Sequence, residues 1–211
     1  MRMPYHGLNS HQVNELKRLT AEELRAYADE SVDLAAGLGG EIVVVGISGG
    51  GAVATWMAQN RPEVRQALPL SPFFGSPNVP MSVSSFAINL LSRVPNILLD
   101  DPLEPRREWV YRGEAKRGVA AFIRLGRFVL DRADQDVPDG EINFLITAVD
   151  AAADNDYTMA FAEQWQTQSD RITLFEFQPA IDIPHNSVDP AADPQKKAMV
   201  YEKILSLLGE N

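Results

Sequence analysis

The residues best suited to chemistry lie where a β-branched stretch is followed at once by a glycine-rich turn. Ile42–Val45 predicts a buried strand, and the residues after the turn favour a helix. Between them lies Gly46-Ile-Ser48-Gly-Gly50, a G-x-S-x-G sequence that forms a nucleophile elbow at such a junction. The elbow is expected to need glycine two residues before and two residues after the serine, to avoid backbone clashes. Ser48 is therefore the predicted nucleophile, and the Gly49 N–H is the predicted oxyanion donor at the helix start.

A serine nucleophile needs a base, and the chain offers few. It has three histidines, His6, His11 and His185. Only His185 lies downstream of the serine, so His185 is the predicted base if a base is present.

Candidate carboxylates lie in an Asp-rich loop after the predicted strand Ile142–Ala148. Asp150 follows the strand directly. Asp154 and Asp156 lie one helical turn further on, where both could instead cap the helix that follows. The loop therefore contains more than one candidate acid.

Alternating strands and helices must position these groups. The predicted strands are Ile42–Val45, Ala67–Leu70, Ile142–Ala148 and Ile172–Phe177. This alternation predicts a mostly parallel sheet with helices on both faces, in which a ligand lies at the carboxyl ends of the strands. The serine turn, the Asp-rich loop and the His185 loop each follow a strand, so they are expected to share that edge.

These motifs resemble the α/β-hydrolase superfamily, in particular its carboxylesterase and lipase branch. The motifs in register are Gly46-Ile-Ser48-Gly-Gly50, Asp150-Ala-Ala-Ala-Asp154-Asn155 and Pro184-His185-Asn-Ser-Val-Asp189-Pro190. The resemblance implies the order serine, acid, histidine, with Asp150 as the acid and Asp154 as the alternative. It also implies ester hydrolysis through an acyl-enzyme that needs no cofactor and no metal.

The resemblance covers the second half of the fold. In the family four strands precede the elbow, whereas only about forty residues precede Ile42 here. The sequence is therefore interpreted as one domain, 1–211, that is incomplete at its N-terminus and lacks the second oxyanion donor. Pro4–Leu8 resembles the loop that ends the fourth strand. Val43 and Val45 would then lie on an apolar sheet edge, through which a homo-oligomer could form.

Residues 76–140 are longer than one crossover helix requires. They are interpreted as a small helical cap plus that crossover helix. The surplus helix, Val83–Val94, would place Phe86 and Leu90 over the serine as substrate-binding residues, and Phe122 is a further candidate for the pocket wall. An apolar roof predicts a small-molecule ester or lipid-like substrate.

Composition narrows the function classes. The chain has 211 residues, a net charge of −10 and no cysteine. The charge argues against nucleic-acid binding, and the missing cysteines exclude a thiolate metal site and a disulfide framework. No apolar run of about 18 residues or signal peptide is present, so no membrane span and a cytoplasmic location are expected.

Two other interpretations use the same motifs. Gly49-x-Gly51-x-x-Ala54 fits a dinucleotide-binding turn, but the next predicted strand region, Gln66–Phe74, contains no acidic residue for a ribose. The other is a catalytically impaired α/β-hydrolase-like module for binding or association, because part of the oxyanion hole is missing.

Overall fold

In the part of the chain that the structure describes, the main sheet has four parallel strands, which confirms the predicted fold class. A computed structural model of the chain describes residues 1–6, 15–77, 98–99 and 114–209. Its strands are β1 (Ile42–Ile47), β2 (Val64–Leu70), β3 (Leu98–Leu99), β4 (Glu114–Ala115), β5 (Glu141–Thr147) and β6 (Ile172–Phe177). The order in the main sheet is β1-β2-β5-β6, while β3 and β4 form a separate antiparallel pair.

Among the described residues, five α-helices accompany the strands. They are α1 (Ala21–Ala36), α2 (Gly49–Asn60), α3 (Lys116–Asp131), α4 (Asn155–Gln166) and α5 (Pro194–Leu207). The predicted starts of two of them are confirmed. Thr20 and Glu23 form a capping box at α1, and the Asp193 carboxylate accepts hydrogen bonds from the first N–H groups of α5.

The helices cover both faces of the sheet, as a parallel sheet requires. On one face α1 to α4 pack over a large core that includes Ile142 and Phe144. On the other face Val200 and Ile204 of α5 pack against a smaller core that includes Leu145. The alternation along β5 sends successive side chains to opposite cores, so this strand is buried on both sides.

The β1 side of the sheet is the least covered. Within the described residues β1 pairs only with β2. Val43 and Val45 point away from the helix-rich face and are 49% and 48% exposed. An apolar edge of this kind favours pairing with another chain, and association through it stays a prediction.

The connection between β2 and β5 contains α3. The proposed cap helix, Val83–Val94 with Phe86 and Leu90, lies outside the described residues, as does His11. The division into a cap and a crossover within 76–140 stays a prediction. None of the described helices is long and apolar enough to cross a membrane.

Candidate active site

Ser48 lies between β1 and α2 in a backbone conformation that is rare for a residue with a side chain. Its φ is 56° and its ψ is −121°. The Ser48 N–H donates to the Leu70 carbonyl, with 2.9 Å between the heavy atoms, and the Ser48 carbonyl accepts from the Phe73 N–H, also at 2.9 Å. Strain of this kind persists only where the surroundings fix it, and it concentrates at functional sites.

The glycines around Ser48 differ in how much space a side chain would have at each position. A Cβ on Gly46 would lie 2.2 Å from the Gly50 carbonyl oxygen, so glycine is required two residues before the serine. A Cβ on Gly50 would meet no atom of the described residues within 4 Å, so the expectation of a clash two residues after the serine is wrong. A close contact lies one residue earlier, because a Cβ on Gly49 would lie 2.8 Å from the Phe122 ring.

His185 links the serine to a carboxylate. Its Nε2 lies 2.9 Å from the Ser48 Oγ, and its Nδ1 lies 2.7 Å from the Asp150 Oδ2. The Asp150 side chain is 0% exposed and that of His185 is 13% exposed. Three loops that follow β1, β5 and β6 therefore bring a hydroxyl, an imidazole and a carboxylate together at the carboxyl edge of the sheet.

The surroundings of Asp150 favour its ionised form. Burial raises the pKa of this carboxyl, but the hydrogen bond with His185 and those from the Ala153 and Ala152 N–H groups outweigh burial, so the pKa lies below its ordinary value. The two N–H groups donate to Oδ1 at 2.8 and 2.9 Å. Because an ionised carboxylate only accepts, His185 donates from Nδ1, which leaves Nε2 free to accept the Ser48 hydroxyl proton.

Asp154, the alternative acid, has a different position. Its Oδ1 accepts from the Asp156 N–H at 3.1 Å and caps α4, and its own N–H donates to the Gly75 carbonyl. The geometry therefore brings Asp150, and not Asp154, to the imidazole.

The start of α2 and part of α3 lie next to Ser48, on the side where Gly49 is the predicted oxyanion donor. The Gly49 N–H lies in the first turn of α2, where a helix offers no internal acceptor and its dipole favours negative charge. Phe122 of α3 packs on Gly49, and His6 packs edge-on against Phe122, with 6.3 Å between ring centroids. Residues 1–6 thus lie beside the elbow, whereas Phe86 and Leu90 are outside the described residues.

Sequence reasoning missed Thr147, whose hydroxyl donates to the Ile183 carbonyl at 2.5 Å. The one sequence signal is a polar residue at the end of a mostly apolar strand, directly before the Asp-rich loop. Among the described residues, no group of three or more histidine or acidic side chains is arranged to hold a metal ion.

Comparison with solved structures identifies the fold. A monoacylglycerol lipase from Paleococcus ferrophilus superposes with a TM-score of 0.68 at 18% identity, over 92% of this chain and 77% of the other. A metagenome-derived lipolytic enzyme gives 0.66 at 15% identity, over 99% and 80%. A soluble variant of monoglyceride lipase from Saccharomyces cerevisiae gives 0.64 at 14% identity, over 97% and 71%.

The chain therefore has an α/β-hydrolase fold, as its motifs suggested. The sequence matches no protein-family model and no curated protein. At such low identities the structural likeness establishes architecture, so chemistry has to be argued from the side chains themselves.

Proposed function

We propose that this protein is a serine hydrolase that cleaves carboxylic esters, with Ser48, His185 and Asp150 as its catalytic triad. One observation carries the proposal: a continuous chain of hydrogen bonds runs from the hydroxyl through the imidazole to a buried carboxylate. The strained backbone of the serine supports it, because an elbow holds its nucleophile toward substrate.

In the proposed mechanism Ser48 Oγ attacks the ester carbonyl carbon while His185 Nε2 takes the hydroxyl proton. Asp150 holds the imidazole in the tautomer that can accept this proton, and it stabilises the imidazolium that forms. The Gly49 N–H donates to the oxygen that becomes negatively charged. The proton then passes from His185 to the departing alcohol, and the acyl group remains on the serine.

Hydrolysis of the acyl-enzyme uses the same groups in reverse. His185 removes a proton from a water molecule, the water oxygen attacks the acyl carbon, and the proton returns to Ser48 as the ester bond breaks. The products are a carboxylic acid and the free enzyme. The His185 imidazole takes up and returns every proton that is transferred, so the cycle requires no cofactor.

The proposed substrates are small esters with an apolar acyl or alcohol part, including lipid-like esters. The Phe122 ring beside Gly49 supports this class, because it gives the oxyanion side of the site an apolar surface. Two of the similar structures are described as lipases of monoacylglycerol or monoglyceride, which favours the same class.

A fluorophosphonate probe tests the proposal, because it reacts only with an activated serine. We expect labelling of the unmodified chain, none of Ser48→Ala, and unchanged labelling of Ser71→Ala, a matched control at the carboxyl end of β2. Burst release of p-nitrophenol from esters of increasing acyl length would then rank substrates. A folded chain that neither reacts with the probe nor cleaves any ester would overturn the proposal in favour of a binding or association module.

A further inference from the structure

The loops that carry the acid and the base both bond to one residue, Thr147. It is the last residue of β5 and is 2% exposed. Its hydroxyl donates to the carbonyl of Ile183, with 2.5 Å between the oxygens. Ile183 lies two residues before His185, and its own side chain is buried in the smaller core. This hydrogen bond therefore fixes the backbone from which the imidazole projects.

The other oxygen of Thr147 holds the acid loop. Its backbone carbonyl accepts from the Asp150 N–H at 3.2 Å and from the Asn155 side-chain amide at 2.8 Å. Asp150 lies near the start of the loop, and Asn155 begins α4 at its end. Because both loops bond to the same residue, loss of the hydrogen bond from the Thr147 hydroxyl to Ile183 would let the histidine loop move relative to the acid loop.

A second contact on the histidine loop, the ion pair between Lys196 and Asp182, is weaker than the Thr147 hydrogen bond. Lys196 of α5 contacts Asp182, with its Nζ 2.8 Å from Oδ2 and 2.5 Å from the carbonyl oxygen. The Asp182 carboxylate is 75% exposed, and solvent-exposed ion pairs contribute little. The Thr147 hydrogen bond is buried, where a hydrogen bond is electrostatically stronger, and it lies one residue closer to His185.

We propose that Thr147 is a positioning residue that sets the His185 ring between Asp150 and Ser48. This inference rests on the proposed function, since it concerns the alignment of the same triad. Its physical basis is that the rate of proton transfer depends strongly on geometry. A misplacement of about 1 Å can cost about 100-fold in rate. Thr147 itself touches no reacting atom.

Thr147→Val tests the proposal, because it keeps the shape of the side chain and replaces only the hydroxyl, by a methyl group. We expect kcat on a p-nitrophenyl ester to fall by about 10- to 100-fold with KM unchanged. Thr147→Ser, which keeps the hydroxyl, should restore most of kcat. Thr55→Val is the matched control, since Thr55 is also buried and also donates to a backbone carbonyl, at 2.8 Å, but lies on α2. It should leave kcat unchanged.

A purely structural role for Thr147 predicts a different pattern. Thr147→Val would then lose thermal stability like Thr55→Val but keep its kcat, and that result would overturn the proposal. Failure of Thr147→Ser to restore kcat would also overturn it. If Thr147→Val does not fold, Thr147→Ala compared with Thr147→Ser decides the same question.

A readout that does not depend on activity separates this proposal from the proposed function. The imidazole proton between His185 Nδ1 and Asp150 should give a downfield proton resonance, identified by its absence in His185→Gln. We expect the resonance to weaken or disappear in Thr147→Val and to return in Thr147→Ser. If the unmodified chain shows no esterase activity, the proposed function fails, and this resonance still decides the role of Thr147. An unchanged resonance in Thr147→Val would contradict it.

Discussion

The two ends of the same sheet carry very different sets of polar groups. At the carboxyl ends of the strands three side chains are joined by hydrogen bonds, and the carboxylate among them is fully buried. At the amino ends, five charged side chains line a groove of about 750 Å³. Its charged residues, all exposed, are Glu41, Arg65, Glu141, Asp170 and Arg171.

The difference shows that the number of charges does not make a reactive site. Exposed charges in a wide groove are solvated and screened, so each behaves nearly as it would in water. At the carboxyl edge, burial removes water from Asp150, and three hydrogen bonds then stabilise its ionised form. The protein thereby holds a polarised imidazole against a hydroxyl, which solvent alone would not maintain.

The largest expected effect is that of Asp150→Asn. Replacing an acid of this type by the amide leaves the geometry in place but favours the wrong imidazole tautomer, so we expect kcat to fall by about 10,000-fold. Asp154→Asn keeps the helix cap, because asparagine caps as well as aspartate, and it should leave kcat nearly unchanged. Steady-state hydrolysis of a p-nitrophenyl ester measures both. A large loss in Asp154→Asn with a small one in Asp150→Asn would reverse the assignment of the acid.

A smaller effect is expected from the glycines of the elbow. In Gly49→Ala the added methyl would lie 2.8 Å from the Phe122 ring, so either this ring or the backbone that carries the proposed oxyanion donor must shift. We expect kcat to fall by at most the roughly 100- to 1000-fold cost of losing one such donor. Phe122→Leu in the same background should recover part of the loss.

Gly50→Ala provides the contrast for that experiment. The methyl meets no described atom within 4 Å, and alanine is the better helix former. Thermal denaturation should therefore show a stability gain of up to about 1 kcal/mol, with kcat retained. Equal losses of kcat in Gly49→Ala and Gly50→Ala would show that the contact with Phe122 is not the reason for the loss in Gly49→Ala.

Low pH should lower the free energy of unfolding, partly because Asp150 becomes protonated. The folded-state pKa of this carboxyl is lowered below its unfolded value, so its stabilising contribution is fully present above about pH 4 and is lost as pH falls through the folded pKa. Urea unfolding at pH 7 and pH 3 should therefore show a smaller acid-induced loss of stability in Asp150→Asn than in the unmodified chain. Asp154→Asn removes the same formal charge and controls for it. Identical pH dependence in all three chains would contradict the prediction.

The smallest effect is expected at the amino ends of the strands. Arg171 donates to the Asp139 carbonyl at 2.6 Å, but its side chain is on the exposed rim of the groove. Arg171→Gln should change the free energy of unfolding by no more than about 0.5 kcal/mol and leave ester hydrolysis unaltered. A clear loss of kcat would show that the two ends of the sheet are coupled.

Local patterns made much of this structure predictable. The turn that carries Ser48 could be located because a strand, a glycine-rich turn and a helix follow one another without interruption. The choice between Asp150 and Asp154 could not be made from residue type or spacing alone, since aspartate suits both an acid and a helix cap. The Thr147 hydrogen bond joins residues 36 positions apart, and no local pattern reports such a contact.

The order of the strands has a consequence for refolding. Ser48 follows β1 at one edge of the sheet and His185 follows β6 at the other, and 137 positions separate them in the chain. Their contact can close only after all four strands have docked, and such non-local pairing is slow. We expect esterase activity to return with the slowest phase after dilution from urea, later than the far-UV circular dichroism signal. Recovery of both signals in one fast phase would show that the sheet assembles in a single cooperative step.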